Sequence, residues 1–331
     1  MNRRETATCS IGPNVSTLCV VITAHNESGE LGRTIESVRN TTREHVEIIV
    51  VDDGSTDGCC DSVQGPALRL IRHTQRQGVA PSRNAGVQAA SGGILAFIDA
   101  HQRFSPQCLD RCAAVAVAQN AIVWPDVGGF GNQASLIHGA SFCVCPETGG
   151  FAATYRTTRP MCRISRITAL RAPGYVMPRK VYDQVKWPAP LRGWGASEAA
   201  IGLKAFFLGV PILHLCGPYA QHLFKKSFQY EVNSEGVTWN QAVIARVCFE
   251  DRTWHEHWLP HVFAKDLPDS ILRELDLPSI RHEQREFQRR KVRSDRDFWR
   301  WLLKAPEPEC LRRTSVSGIC GRFRLRASGS P

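Results

Sequence analysis

Over the first hundred residues, short apolar runs alternate with segments whose apolar residues recur at helical spacing. Leu18–Thr23 (L-C-V-V-I-T), Glu47–Val51, Leu68–Arg72 and Ile94–Ile98 are brief and rich in branched aliphatic residues, which predicts strands. Between them, Glu30–Arg39 sets Leu31, Ile35 and Val38 at helical spacing, and Pro81–Ala90, entered through Gly78-Val79-Ala80, predicts a second helix. Strands and helices in alternation predict an α/β fold, a mostly parallel sheet with flanking helices. In such sheets ligands bind beyond the carboxyl ends of the strands. Three polar clusters fall at those ends: His25-Asn26-Glu27, Asp52-Asp53 and Asp99-Ala100-His101.

The pattern is less regular further on. Ser105–Asn120 predicts a helix opened by Ser-Pro, with Leu109, Cys112, Val115 and Ala116 as its apolar face. In 121–172, Trp124-Pro125-Asp126 and Phe130-Gly131-Asn132 suggest loops and short strands, and Gly128-Gly129 and Gly149-Gly150 suggest mobile loops suited to a lid. Ser197–Leu208 is a helix with Ser197 as its expected N-cap and Gly209 as its stop, followed by a strand over Val210–Leu215. Helical patterning dominates from Tyr230 onward.

With 331 residues, 43% of them hydrophobic, the chain suffices for one large α/β domain or a domain plus extensions. No apolar run of about 18 residues occurs, and Met1–Pro13 lacks the apolar centre of a signal peptide, so a cytoplasmic enzyme is expected. The 13 cysteines contain no C-x-x-C pair and are odd in number, which favours buried thiols in a reducing compartment. Charge is uneven: Arg281–Pro331 holds 14 Lys and Arg against 6 Asp and Glu, so +8 of the net +10 lies there. Such a tail suits an anionic membrane surface (the inner face, for a cytoplasmic protein) or an acidic partner, or is a solvated, partly helical appendage; nucleic acid is not expected. Trp299-Arg300-Trp301 within it suits a membrane interface or contact with the main domain. Trp254-His255-Glu256-His257-Trp258 invites a metal reading, but no third ligand is evident, so a structural role is expected.

Carboxylate, spacer and imidazole at a strand end offer a divalent cation two ligands, and a cation there can neutralise a diphosphate leaving group. Four blocks then stand in a telling order: Val20-Val21-Ile22-Thr23-Ala24-His25-Asn26-Glu27, Ile48-Ile49-Val50-Val51-Asp52-Asp53-Gly54-Ser55-Thr56-Asp57, Gly78-Val79-Ala80-Pro81-Ser82-Arg83-Asn84-Ala85-Gly86 and Phe97-Ile98-Asp99-Ala100-His101. Together they resemble the opening of glycosyltransferase family 2, which implies a GT-A fold: a Rossmann-like nucleotide-binding sheet joined to an acceptor-binding half. That family usually carries D-x-D. The histidine at 101 instead resembles the polypeptide N-acetylgalactosaminyltransferases, as do the block Trp194–Lys204 and the segment Gly217–Lys225, whose His222 is then implied as a third metal ligand. Val247–Asp251 also has a counterpart there. Their W-G-G-E glutamate falls on Ser197, whereas Glu198 stands where inverting family 2 enzymes place the second acid of an E-D pair.

The resemblance implies a Mn²⁺ (or Mg²⁺) site at Asp99, His101 and His222, and a UDP-sugar site drawn from Thr23, Ala24, His25, Glu27, Asp53, Arg83, Asp99, Ala100 and Trp194. Uridine recognition is expected near Thr23, Glu27 and Asp53, where Asp52 and Asp53 can hydrogen-bond base and ribose. Arg83 is expected near the diphosphate or sugar, and Trp194 offers the sugar or acceptor a flat apolar face. Glu198 is the candidate general base toward an acceptor hydroxyl. The expected division is an N-terminal tail (1–15), a GT-A domain (16–255, with a nucleotide-binding half 16–120 and an acceptor-binding half 121–255) and a helical basic C-terminal extension (256–331). The leading reading is a metal-dependent glycosyltransferase, inverting, with an N-acetylhexosamine among the candidate sugars. The alternatives are a non-catalytic nucleotide-sugar-binding module and a retaining transferase. A nucleotidyltransferase would need a glycine- and lysine-rich loop after strand one, and a dehydrogenase would need G-x-G-x-x-G; Thr23–Glu27 is neither.

Overall fold

A computed structural model describes residues 17–43, 46–130, 136–145, 149–171, 173–225 and 232–304. The expected tail 1–15, Gly131-Asn132 and the last part of the basic extension lie outside the described residues. Strands β1 (Leu18–Ala24), β2 (Glu47–Asp52), β3 (Leu68–Arg72) and β4 (Ile94–Asp99) pair in parallel in the order β3-β2-β1-β4, as the alternating pattern predicts. The sheet continues through β10 (Tyr175–Pro178), β6 (Ile122–Gly129), β11 (Ile212–His222) and β5 (Gln102–Phe104), with β9 (Ile164–Arg166) also on β11. Strands β1–β4, β6 and β11 run one way; β5, β9 and β10 run the other. A separate hairpin joins β7 (Ala140–Val144) to β8 (Phe151–Tyr155).

Alternate residues of each central strand enter two cores, which is why β1, β2 and β4 read as unbroken apolar runs. Val20, Ile22, Val50 and Ile98 meet Leu31, Ile35 and Val38 of α1 (Glu30–Thr41) and Leu109 and Cys112 of α3 (Cys108–Gln119). On the other face, Val21, Val51 and Phe97 meet Ala80 and Val87 of α2 (Val79–Ala89), Ile201 and Phe207 of α5 (Ser197–Leu208) and Val243 of α6 (Ser234–Cys248). A short helix, α4 (Arg179–Val185), follows β10.

Several boundaries depart from expectation. Trp124-Pro125-Asp126, expected among loops and short strands, lies inside the eight-residue buried strand β6. Proline is tolerated because Pro125 faces the point where β11 bulges: the register slips between Leu215 and Tyr219. Gly128-Gly129 ends the same strand and is not a lid. Helix α3 begins at Cys108, since Ser105–Gln107 form a turn in which Gln107 is left-handed and its N–H bonds Thr41 O at 2.7 Å. Ser197 is the first residue of α5, not its cap; Ala196, in a left-handed conformation, precedes it.

The C-terminal helices are part of the main core. The expected division at 255/256 falls inside a π-helix, Trp254–Phe263, which follows the helical turn α7 (Asp251–Thr253). Short α8 (Asp269–Glu274) precedes α9 (Pro278–Arg290) and α10 (Asp295–Lys304). Trp254, Trp258, Phe287 and Phe298 join the same apolar cluster as β4 and α5. Trp301 meets Phe206 at 4.8 Å and Phe142 at 5.5 Å, and Trp299 stacks near Trp258 at 5.6 Å. Over residues 281–304 the basic extension is therefore a docked layer, not a solvated appendage. Among the described residues, no helix is long and apolar enough to cross a membrane.

Candidate active site

Two strand ends and the turn after one of them converge on one polar cluster. Asp99 closes β4, His101 follows two residues later, and His222 closes β11. Their ligand atoms all lie within 4.8 Å of one another. Asp99 Oδ2 is 3.3 Å from His222 Nε2, and the rings of His101 and His222 are 4.8 Å apart. Phe224 covers the other side of His222, with ring centres 4.7 Å apart. Side-chain exposures of 24% for Asp99 and 12% for each histidine leave the cluster open to a small ion. Burial pushes the Asp99 carboxyl up, but the His222 hydrogen bond and the charges of His101, Arg83 and His222 outweigh it and hold it down at about 2. Glu27, after β1, accepts from His101 Nδ1 at 2.9 Å and from Lys225 Nζ at 2.8 Å. That bond leaves Nε2 of His101 for a ligand and fixes the ring, the outer support common in metal sites.

Arg83, on α2 and only 1% exposed, links this cluster to Glu198 on α5. Its guanidinium reaches Glu198 Oε1 at 2.7 Å, Asp99 Oδ1 at 3.4 Å and the Tyr175 hydroxyl at 3.2 Å. Burial lowers the guanidinium's pKa, but nearby Tyr175, Glu198 and Asp99 more than offset that and raise it above its ordinary value. The other Glu198 oxygen accepts from the Ser197 hydroxyl at 2.7 Å. Two glycine turns set the helices that carry Arg83 and Glu198. Gly78, at φ +110°, bridges Gly193, with Val79 N to Gly193 O at 3.0 Å and Gly193 N to Gln77 O at 2.9 Å. A Cβ on Gly78 would overlap the Gly193 backbone.

The remaining candidates are spread around this centre. Thr23 and Ala24 end β1, and Ala24 O accepts the Asp53 N–H at 2.8 Å. His25 Nδ1 lies 2.9 Å from Asp53 O. The Asp53 carboxylate is engaged by the backbone N–H groups of Gln77 (2.8 Å) and Gly78 (2.9 Å) and by His73 (3.1 Å), so it braces the glycine turn. Asp52 accepts the Ser55 N–H at 2.8 Å and is buried. The expected pair of free carboxylates is thus tied to loop amides, whose unmet donors a carboxylate satisfies best. The Ala100 side chain is buried in the core beneath α1, and its carbonyl accepts from Thr34 at 2.8 Å. Half-buried Trp194 sits on the loop before α5.

The donor set suits a divalent cation. One carboxylate and two imidazoles converge with their ligand atoms within 4.8 Å of one another, and one His101 nitrogen is already braced.

A model of the family described as glycosyl transferase family 2 matches residues 19–183. Over these residues, just under half of the chain, the protein is similar to that family. The fold is that of GT-A glycosyltransferases, and the chain resembles polypeptide N-acetylgalactosaminyltransferases. Polypeptide N-acetylgalactosaminyltransferase 14 of Homo sapiens is 42% identical over 87 residues, 25% of this chain and 16% of that protein. Polypeptide N-acetylgalactosaminyltransferase 16 of Mus musculus is 25% identical over 314 residues, 88% of this chain and 53% of that protein. The crystal structure of GalNAc-T7 with UDP, GalNAc and Mn²⁺ shares the fold at a TM-score of 0.67 and 19% identity, covering 88% of this chain and 57% of that one. The chain spans about half the length of the latter two.

Within the matched segment and its continuation, sequence reasoning missed the parts that hold the named residues in place. Lys225 on Glu27, Tyr175 on Arg83 and the Gly78–Gly193 bridge all join residues distant in the chain. Gly193 directly precedes Trp194, and Lys225 ends the block that marks His222, so proximity to a recognised block was the one available signal. Tyr175 carried none.

Proposed function

We propose that this protein transfers a sugar from a UDP-sugar to an acceptor hydroxyl, using a divalent cation held by Asp99, His101 and His222. The observation that carries the reading is the continuous chain of contacts from His222 through Asp99 and Arg83 to Glu198 at one edge of the sheet. A cation bound there, Mn²⁺ in our reading, offsets charge on the departing diphosphate. Arg83 orients Glu198 and Asp99 through its guanidinium. Glu198 takes the acceptor proton as the hydroxyl attacks the anomeric carbon, which inverts that centre. Each of its oxygens has a second lone pair beyond those used by Arg83 and Ser197. GalNAc-T7 was solved with UDP, GalNAc and Mn²⁺, which supports UDP as the nucleotide and an N-acetylhexosamine as the first sugar to try.

Titration calorimetry of UDP with Mn²⁺ and then with EDTA, followed by a screen of UDP-sugars for hydrolysis and transfer, tests this. Metal-dependent UDP binding with turnover of one donor is expected. Binding indifferent to EDTA would remove the cation from the reading, and no binding by the folded protein would remove UDP.

One observation favours a second reading. Both Glu198 oxygens already accept hydrogen bonds, so Glu198 can serve to hold Arg83 while transfer retains configuration. The anomeric coupling in the product's proton NMR spectrum separates the two outcomes.

A further inference from the structure

A second set of ligating side chains lies inside the sheet, away from the strand ends. Asp126 is on β6, His138 follows that strand just before β7, and His214 and Cys216 are on β11. Asp126, His138 and Cys216 are buried, and each offers a ligand atom within 4.8 Å of the others. His222 is six residues beyond Cys216, so the two clusters are separated by up to roughly 20 Å along the strand. Asp126 Oδ1 accepts from His138 Nδ1 at 2.6 Å and from His214 Nε2 at 2.7 Å, while Oδ2 accepts the Gly217 N–H at 2.8 Å. The bulge in β11 between Leu215 and Tyr219 brings Cys216 and Gly217 to this point. His214 is fully buried, and its Nδ1 has no hydrogen-bond partner.

We propose that Asp126, His138 and Cys216 bind a zinc ion, its fourth position taken by a water, that ties β6, the segment before β7 and the β11 bulge together. Thiolate, imidazole and carboxylate in one place suit Zn²⁺, a borderline-soft ion, whereas the sulfur-free Asp99 cluster suits Mn²⁺ or Mg²⁺. Burying three such groups without an ion is costly, and an ion turns that cost into cross-linking. On binding, the Cys216 thiol proton is released to solvent, and the Nδ1 proton of His138 moves to Nε2 or leaves. His214 keeps its Nε2–H on Asp126 and orients the ligating carboxylate from outside. Exposed Arg159 lies near the Cys216 sulfur.

The test is zinc and cobalt titration of the full chain after chelator treatment, with bound metal measured by mass spectrometry. Wild type is expected to hold one tight zinc equivalent that His222→Ala retains and Cys216→Ser loses, with affinity lowered at least about 100-fold. Cobalt should give a thiolate-to-metal charge-transfer band in wild type and in His222→Ala. If Cys216→Ser fails to fold, folded His138→Ala decides instead: it should lose the cobalt band, and a band of undiminished strength would place the ion on another of the 13 cysteines. Zinc retained undiminished by folded Cys216→Ser, or cobalt bound without the band, would overturn the proposal.

Discussion

Two aspartate–histidine clusters hang on β11, and they solve opposite problems. At its carboxyl end, Asp99, His101 and His222 are partly open and tied into ion pairs with Glu27, Lys225 and Arg83. In its middle, Asp126 is buried and shared by His138 and His214. The same residue types thus serve a site where the chain stops and a brace where it continues. Strand ends leave room for an ion and a substrate, whereas a mid-sheet position is closed by neighbouring strands. The difference teaches that exposure and second partners separate the two clusters as much as residue identity does.

The contrast can be tested by breaking each side. The largest effect is expected at Glu198: Glu198→Gln should lower transfer about 10²–10⁴-fold with UDP affinity unchanged in calorimetry. Transfer near the wild-type rate would end its role as base. At the brace, Asp126→Ala leaves His138 and His214 without their acceptor and should cost about 3 kcal/mol in chemical denaturation. An unchanged midpoint would mean that the buried cluster does not stabilise the sheet.

Smaller effects sharpen the comparison. Gly78→Ala must strain the bridge to Gly193 at φ +110° and should cost about 2 kcal/mol, with a loss of transfer because Arg83 and Glu198 shift together. Full activity in that variant would show that the bridge does not position them. Glu27→Gln weakens the brace on His101 and should raise the Mn²⁺ concentration for half-maximal UDP binding about 10-fold.

The smallest effect concerns a control far from both clusters, where Asp251 ties Arg246 of α6 to Arg281 of α9. Burial raises the Asp251 carboxyl, but the Arg246 and Gln284 hydrogen bonds and the Arg246 charge hold it below its ordinary 3.8. Its contribution is therefore complete above that value and lost as pH falls below it. Thermal unfolding of wild type should be slightly higher than that of Asp251→Asn at neutral pH, and the gap should close in acid. A gap independent of pH would assign the effect to packing instead.

Much of the first sheet was legible. Leu18–Ala24 and Ile94–Asp99 are strands because both of their faces are covered, and continuous burial leaves a continuous apolar run, whereas Leu68–Arg72, at the sheet edge, is partly exposed and carries two arginines. β10 and β6 were missed for the opposite reason: Tyr175–Pro178 is four residues long, and Pro125 disguises a buried strand. Trp254–Trp258, for which a structural role was expected because no third ligand was evident, has that role: Phe249, Phe263 and Trp299 pack around Trp258.

By itself, the sequence determined the parallel sheet, the helices on it and the polar strand ends, because these follow from local period and from blocks of adjacent residues. Only the tertiary structure decided which polar groups meet. It joined Arg83 to Glu198 across 115 positions, spent the Asp53 carboxylate on a turn, and gathered Asp126, His138, His214 and Cys216 around a bulge. Such contacts are set by strand order and register, which bring together residues that share no local pattern.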